Sequence, residues 1–188
     1  DLLEIYCSAD IKLELTARIY RIGWYDSRGS RQLKYLGTKI VRANQGWKLG
    51  GSRKKNGVIH GPQLPSHPTF SYIIDQKWTP GTYVVQITDM EGRKNIHPFW
   101  VNDLNEHHDT LVIVPTIANQ LYNKWGGSRF YQLTFEHGTR SLSEMKTLYD
   151  LCRPFRDSRA GRFSRWVLPF VRWSERVGLD CNWVTDEA

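Results

Sequence analysis

Hydrophobic and polar positions alternate along "IKLELTARIYRIGWY": Ile11, Leu13, Leu15, Ala17 and Ile19 fall on one side, Lys12, Glu14, Thr16 and Arg18 on the other. A period of two over this length predicts a strand with one buried face. "DSRGS" supplies a turn and "RQLKYLGTKIV" a returning strand. Residues 44–69, rich in Gly, Asn, Lys, Ser and Pro, read as a long irregular excursion. "FSYIIDQKW", "TPGTYVVQITD" and "HPFWVND" predict three more strands, separated by the turns "DQKWTPG" and "DMEGRK". Short strands with turn signals at this spacing predict an antiparallel β-sandwich, immunoglobulin-like or lectin-like, over residues 1–103.

The pattern changes over residues 104–188. "LNEHHD" reads as a polar linker, and "TLVIVPT" is a continuous apolar run, as in a parallel strand buried on both faces. In "RSLSEMKTLYD", Ser141 precedes Glu144 by three positions, a capping box opening a helix whose face carries Leu142, Met145 and Tyr149. "LPFVRWSERVG" predicts a second helix, with Pro169 near its start and Gly178 past its end, and "LDCNWVTD" a further short strand. This is the opening of an α/β domain. A parallel sheet needs more strands to close, so the expectation is an α+β chain of two domains whose second domain is cut short.

Composition narrows the picture. Eight Trp and 40% hydrophobic residues argue for a packed core rather than disorder. No apolar run approaches the roughly 18 residues that span a bilayer. The net charge of +7 is uneven: residues 1–103 carry 15 Lys and Arg against 9 Asp and Glu. A basic surface can attract nucleic acid, but only charge speaks for it, and no aromatic interleaving of the stacking kind accompanies the basic residues. Arg153, Arg156, Arg159, Arg162 and Arg165 recur every third position, interrupted by Pro154 and Gly161, and read as a basic loop. Cys7, Cys152 and Cys181 form neither a disulfide framework nor a zinc pattern. Unpaired thiols favour a reducing, cytoplasmic setting.

No phosphate loop, nucleophile elbow or zincin motif occurs, so no catalytic residue is assigned from a motif. Glu106, His107, His108 and Asp109 are read as linker, because adjacent histidines in an extended chain point to opposite faces. His60 and His67 receive no role. Asp186 and Glu187 are noted as a carboxylate pair. The most informative stretch is "NQLYNKWGGSR", residues 119–129, directly after the apolar run. In open α/β sheets chemistry collects in loops beyond the carboxyl ends of strands, where Tyr122 and Asn123 would stand. Gly126 and Gly127 permit a backbone path closed to other residues. The alternative is a tight turn in which Trp125 plugs an interface. A phenol can also serve as an anionic oxygen ligand to iron.

"RIYRIGWYDSRGSRQLKYLG", "WTPGTYVVQI", "HPFWV", "LYNKWGGSRFYQ", "LCRPF" and "FVRWSERVGLDCNWVTDEA" together resemble the N,N-dimethylformamidase large-subunit-like family, in matching order over nearly the whole chain. The resemblance implies a β-sandwich joined to an α/β domain similar to class I glutamine amidotransferases. It implies hydrolysis of a small amide to a carboxylic acid and an amine, at a mononuclear iron held by two tyrosines and a glutamate. Carried over, Tyr122 is one candidate ligand and either Tyr83 of "PGTY" or Tyr131 of "SRFY" the second. Asn123 and Arg129 would order the loop around them, and Gly126 and Gly127 would shape it. A small partner subunit is also implied. The chain has "QLYN" where the family has "QAYN", and "GLDCNW" where it has "GYDVxY". The family's glutamate belongs to an "H-x-E-Y-W" motif beyond the "T-D" segment, so the expectation is a fragment with an incomplete, inactive iron site. The rival reading is a non-enzymatic carbohydrate-binding module, which would expose Trp24, Tyr25 and Trp47.

Overall fold

The computed structural model describes residues 1–7, 9–43, 67–117 and 163–186, together with the backbone of three short strands at 53–55, 58–60 and 141–142. The strands in chain order are β1 (Leu2–Ile5), β2 (Leu13–Ile22), β3 (Ser30–Val41), β4 (Arg53–Lys55), β5 (Val58–His60), β6 (Phe70–Ile73), β7 (Gly81–Asp89), β8 (Lys94–Val101), β9 (Thr110–Val114), β10 (Ser141–Leu142) and β11 (Cys181–Thr185). A π-helical turn, Phe163–Val167, runs into helix α1, Leu168–Arg176.

The frame is a four-stranded antiparallel sheet in the order β3-β2-β7-β8. Strand β2 sits inside it because its alternation buries one row completely: Ala17 and Ile19 are fully buried and Leu15 nearly so. A two-stranded antiparallel ribbon, β1-β6, covers this face. Leu3, Ile5, Phe70 and Tyr72 from the ribbon pack with Leu15, Ala17, Ile19, Tyr83 and Val85 from the sheet. Among the described residues the second layer of the sandwich is therefore a two-stranded ribbon, and β1 lies in a segment whose pattern predicted no strand. The excursion expected at 44–69 contains β4 and β5, an antiparallel pair. Ser141, expected to cap a helix, belongs to β10, which pairs in parallel with β5; residues 143–150 lie outside the described residues.

The opposite face of the same sheet meets described residues of the second part. Ile22 and Val84 share one core cluster with Val114, Phe163, Val171 and Trp183, bordered by Tyr20, Ile96 and Trp100. One hydrophobic core thus crosses the expected boundary at residues 103 and 104. Strands β9 and β11 pair in parallel, Thr110 opposite Cys181 through Val114 opposite Thr185. Helix α1 starts with Pro169 in its first turn, where a missing N–H removes no helical bond. It ends before Gly178, whose φ of 72° suits glycine. The pattern expected β9 to be buried on both faces. Among the described residues only one face is covered: Val114 is buried, while Leu111 and Ile113 are 59% and 61% exposed. The part of the second half packed on the sandwich sheet includes the parallel pair β9-β11, the π-turn and helix α1.

Candidate functional site

The carboxyl ends of β9 and β11 lie side by side, the position where an open parallel sheet presents its loops. The ladder continues past the last paired residues: the Asp186 N–H donates to the Val114 carbonyl at 3.2 Å. The Asp186 side chain then turns back onto the chain leaving β9. Its Oδ1 accepts the Thr116 hydroxyl at 2.5 Å and the Ile117 N–H at 3.0 Å. Thr116 is fully buried, and a buried hydroxyl without a partner would cost about 1–3 kcal/mol. Desolvation works against the Asp186 charge. The bonds from Thr116 and Ile117 outweigh it and hold the carboxyl below its ordinary pKa. Asp186, noted from sequence only as a neighbour of Glu187, thus clamps Thr116 and Ile117, where the chain leaves β9. The sequence signal for it was slight: a threonine two residues past an apolar strand, and an aspartate just past the strand parallel to it.

The amino ends of the same strands are tied differently. The Asn182 amide donates to the Asp103 carbonyl at 2.6 Å and its oxygen accepts the Asp103 N–H at 2.9 Å. His108 bonds Asp180 through Nδ1 at 2.9 Å, and its Nε2 faces the Asp103 carboxylate at 3.9 Å. The bond to Asp180 raises the His108 pKa above its ordinary value, against a smaller desolvation effect. The stretch read as a linker is therefore fastened to the start of β11, with His108 as the fastener. Glu106, His107 and Asp109 are exposed, as is His67.

Tyr83 lies far from any loop mouth in character. It is fully buried, stacked between Trp78 at 5.0 Å and Phe99 at 5.5 Å, and its hydroxyl donates to the Thr79 carbonyl at 2.5 Å. Burial pushes its pKa up to about 12. An iron ligand must give up its proton, and this phenol is held neutral with its hydrogen already donated. Tyr83 does not fit an iron ligand. Tyr122, Asn123, Gly126, Gly127, Arg129 and Tyr131 lie outside the described residues, as do Trp47, His60 and Glu187 in their side chains. Among the described residues no group of three or more His, Cys, Asp or Glu could hold a metal ion.

Of the aromatic residues of the carbohydrate reading, Trp24 and Tyr25 are engaged within the fold. Trp24 lies beneath the Arg176 guanidinium at 4.9 Å, and the Tyr25 hydroxyl accepts from Arg21 at 2.9 Å while Arg31 covers its ring. Both are half-buried.

The family described as N,N-dimethylformamidase beta subunit-like, C-terminal, matches residues 16–188, from within β2 to the last residue. The chain belongs to that family. The match runs through the four-stranded sheet, the parallel pair and the Asp186 clamp, so both parts of the fold belong to this dimethylformamidase-like unit. At family level the chain is part of an amidohydrolase-like subunit. No curated protein and no solved structure matches it. Among the described residues no helix is long and apolar enough to cross a membrane.

Proposed function

We propose that the chain is the C-terminal part of a dimethylformamidase-like amidase, hydrolysing the C–N bond of a small amide. Water adds to the carbonyl carbon, the C–N bond breaks, and the nitrogen leaves as an amine with one of the water's protons, leaving a carboxylic acid. The observation that carries this reading is the family match over residues 16–188. The clamp supports it, because it fixes Thr116 and Ile117 at the carboxyl ends of β9 and β11, the end of a parallel pair where such folds place their chemistry.

In this reading Tyr122 and Tyr131 are the phenolic donors to an iron ion, with Asn123 and Arg129 ordering the loop and Gly126 and Gly127 shaping it. Iron bound there would act as a Lewis acid, polarising the amide carbonyl and lowering the pKa of a water. The second part is proposed to be the opening of an α/β domain similar to glutamine amidotransferases. The family description as a beta subunit speaks for a partner subunit. Cys7 and Cys181 are free thiols, with burial pushing Cys7 up to about 11, which suits a reducing cytoplasmic compartment.

The test is metal analysis and amide hydrolysis by the full-length protein, followed as release of formate and dimethylamine from N,N-dimethylformamide. The wild type should contain iron and turn over, and Tyr122→Phe should lose both. Equal iron content and equal rate in the two proteins would overturn the role of Tyr122. Absence of hydrolysis with any small amide would overturn the amidase reading.

A further inference from the structure

We propose that the tip of the β2-β3 hairpin and the edge of α1 beside it form a docking surface for an acidic segment of a protein partner. This surface stands independently of the amidase chemistry. Five arginines meet at the tip. Arg21 is engaged within it, paired with Glu175. The other four surround it from two elements. Arg28 donates from Nε to the Tyr25 carbonyl at 3.1 Å, Arg31 lies over the Tyr25 ring at 5.5 Å, and Arg176 lies over the Trp24 ring at 4.9 Å. The Arg172 guanidinium approaches Gly29 so closely that a Cβ there would collide with it. All four are exposed, and none is paired with a carboxylate among the described residues. Against them stand Asp26, exposed on the tip, and Glu175, which already holds Arg21 and the Trp24 N–H. Charges of one sign gathered in this way repel. Arg172 and Arg176 are moreover a like-charge i,i+4 pair on α1, an arrangement that weakens a helix. A bound anion relieves that repulsion. The guanidiniums are also held by a backbone carbonyl, two rings and the close approach at Gly29, so little side-chain freedom is left to lose on binding. Each planar fork matches a carboxylate with two parallel hydrogen bonds.

Among anionic partners the surface fits a protein. Trp24 and Tyr25 are half-buried with a guanidinium over each ring, so neither is an open platform for stacking a base. The exposed residues of the tip are Asp26, Ser27 and Arg28, without an apolar side chain to enter a bilayer. On α1, Trp173 and Val177 are 53% and 56% exposed and follow Arg172 and Arg176 directly in sequence. Arginine beside exposed tryptophan is the composition in which protein–protein contacts concentrate their energy.

The experiment measures binding of a fluorescein-labelled hexaglutamate peptide to the full-length protein by fluorescence anisotropy. The wild type should bind it saturably below about 1 mM at low salt, and more weakly as salt rises from roughly 50 to 200 mM, because exposed charges are screened. Combining Arg28→Gln, Arg172→Gln and Arg176→Gln should weaken binding by about 10-fold or more. Removing the same charge at the far end of the hairpin, by Lys12→Gln, Lys39→Gln and Arg42→Gln, should leave binding within about twofold. Should circular dichroism show the tip variant unfolded, Arg172→Glu replaces it with the same loss expected, since that side chain makes no hydrogen bond or ion pair among the described residues. Absence of saturable binding by the wild type would overturn the proposal, as would equal losses in the tip and far-end variants. Tighter binding of a hexathymidylate oligonucleotide, or of vesicles of equal parts phosphatidylserine and phosphatidylcholine, than of the peptide would overturn the protein partner.

Discussion

Arg21 on β2 and Glu175 on α1 form an ion pair at 2.5 Å, and the second oxygen of Glu175 accepts the Trp24 N–H at 3.2 Å. Arg21 also donates to the Tyr25 hydroxyl and to the Pro80 carbonyl. Desolvation opposes its charge, but the Tyr25 hydroxyl and the Glu175 carboxylate outweigh that and raise its pKa. One carboxylate on the helix thus holds the tip of the β2-β3 hairpin, where Tyr25, Asp26 and Ser27 all adopt positive φ. Such backbone persists only where its surroundings over-determine it.

Removing Glu175 should therefore destabilise both parts together. The side chains of Arg21 and Glu175 are 14% and 25% exposed, so Glu175→Ala leaves a largely buried guanidinium without its anion. We expect a loss of about 2–4 kcal/mol, with Glu175→Gln losing less because its amide oxygen can still accept from Trp24. Denaturant unfolding followed by tryptophan fluorescence should remain a single transition, since one core crosses the two parts. Two separated transitions in the wild type would contradict that shared core.

Gly23→Ala should act through the same carboxylate. A Cβ at Gly23 would lie 2.0 Å from Glu175 Oε2 and 2.9 Å from the Tyr25 ring. Glu175 cannot swing aside without releasing Arg21 or Trp24. The expected loss is about 1–3 kcal/mol in the wild type, shrinking in a Glu175→Ala background. A loss of equal size in both backgrounds would show that the collision lies elsewhere.

Tyr83→Phe separates the two tyrosine roles. It removes one hydrogen bond to the Thr79 carbonyl and should cost about 1 kcal/mol of stability. Iron content and amidase rate of the full-length protein should stay at wild-type levels. Loss of iron in Tyr83→Phe would return this residue to the ligand set.

His108 makes stability depend on pH near neutrality. Its bond to Asp180 raises its pKa in the folded chain above the ordinary value of 6.5. The stabilisation is fully present below 6.5 and fades as pH rises through the folded pKa. The stability advantage of wild type over His108→Gln should therefore shrink as pH rises from about 6 to 8, the range in which histidine commonly titrates. An advantage that grows over this range would reverse the assigned sign.

The two faces of the β9-β11 pair should respond unequally. Trp183, 4% exposed in the shared core, should cost about 3–5 kcal/mol when replaced by alanine. Leu111→Thr and Ile113→Thr, on the exposed face, should stay within about 0.5 kcal/mol in the same unfolding measurements.

Much of the fold was legible because its signals are local. The alternation from Leu13 to Ile19 placed β2, and Pro169 and Gly178 bracketed α1. Turn residues separated β7 from β8, where Asp89 accepts from Glu91 and Arg93 and Gly92 takes a φ of 77°. The order of motifs placed the chain in its family. What tertiary structure decided are relations between distant residues. An apolar run does not say how many of its faces will be covered, and β9 covers one. A tyrosine in a strand does not say whether it faces a loop mouth or a core, and Tyr83 faces the core between Trp78 and Phe99. Asp186 meets Thr116, and Glu175 meets Arg21, only because the register of the parallel pair and the seating of α1 on the sheet bring them within hydrogen-bond reach. Local pattern is set by short-range sterics and periodic burial. Partnership across 70 residues or more is set by how whole layers pack.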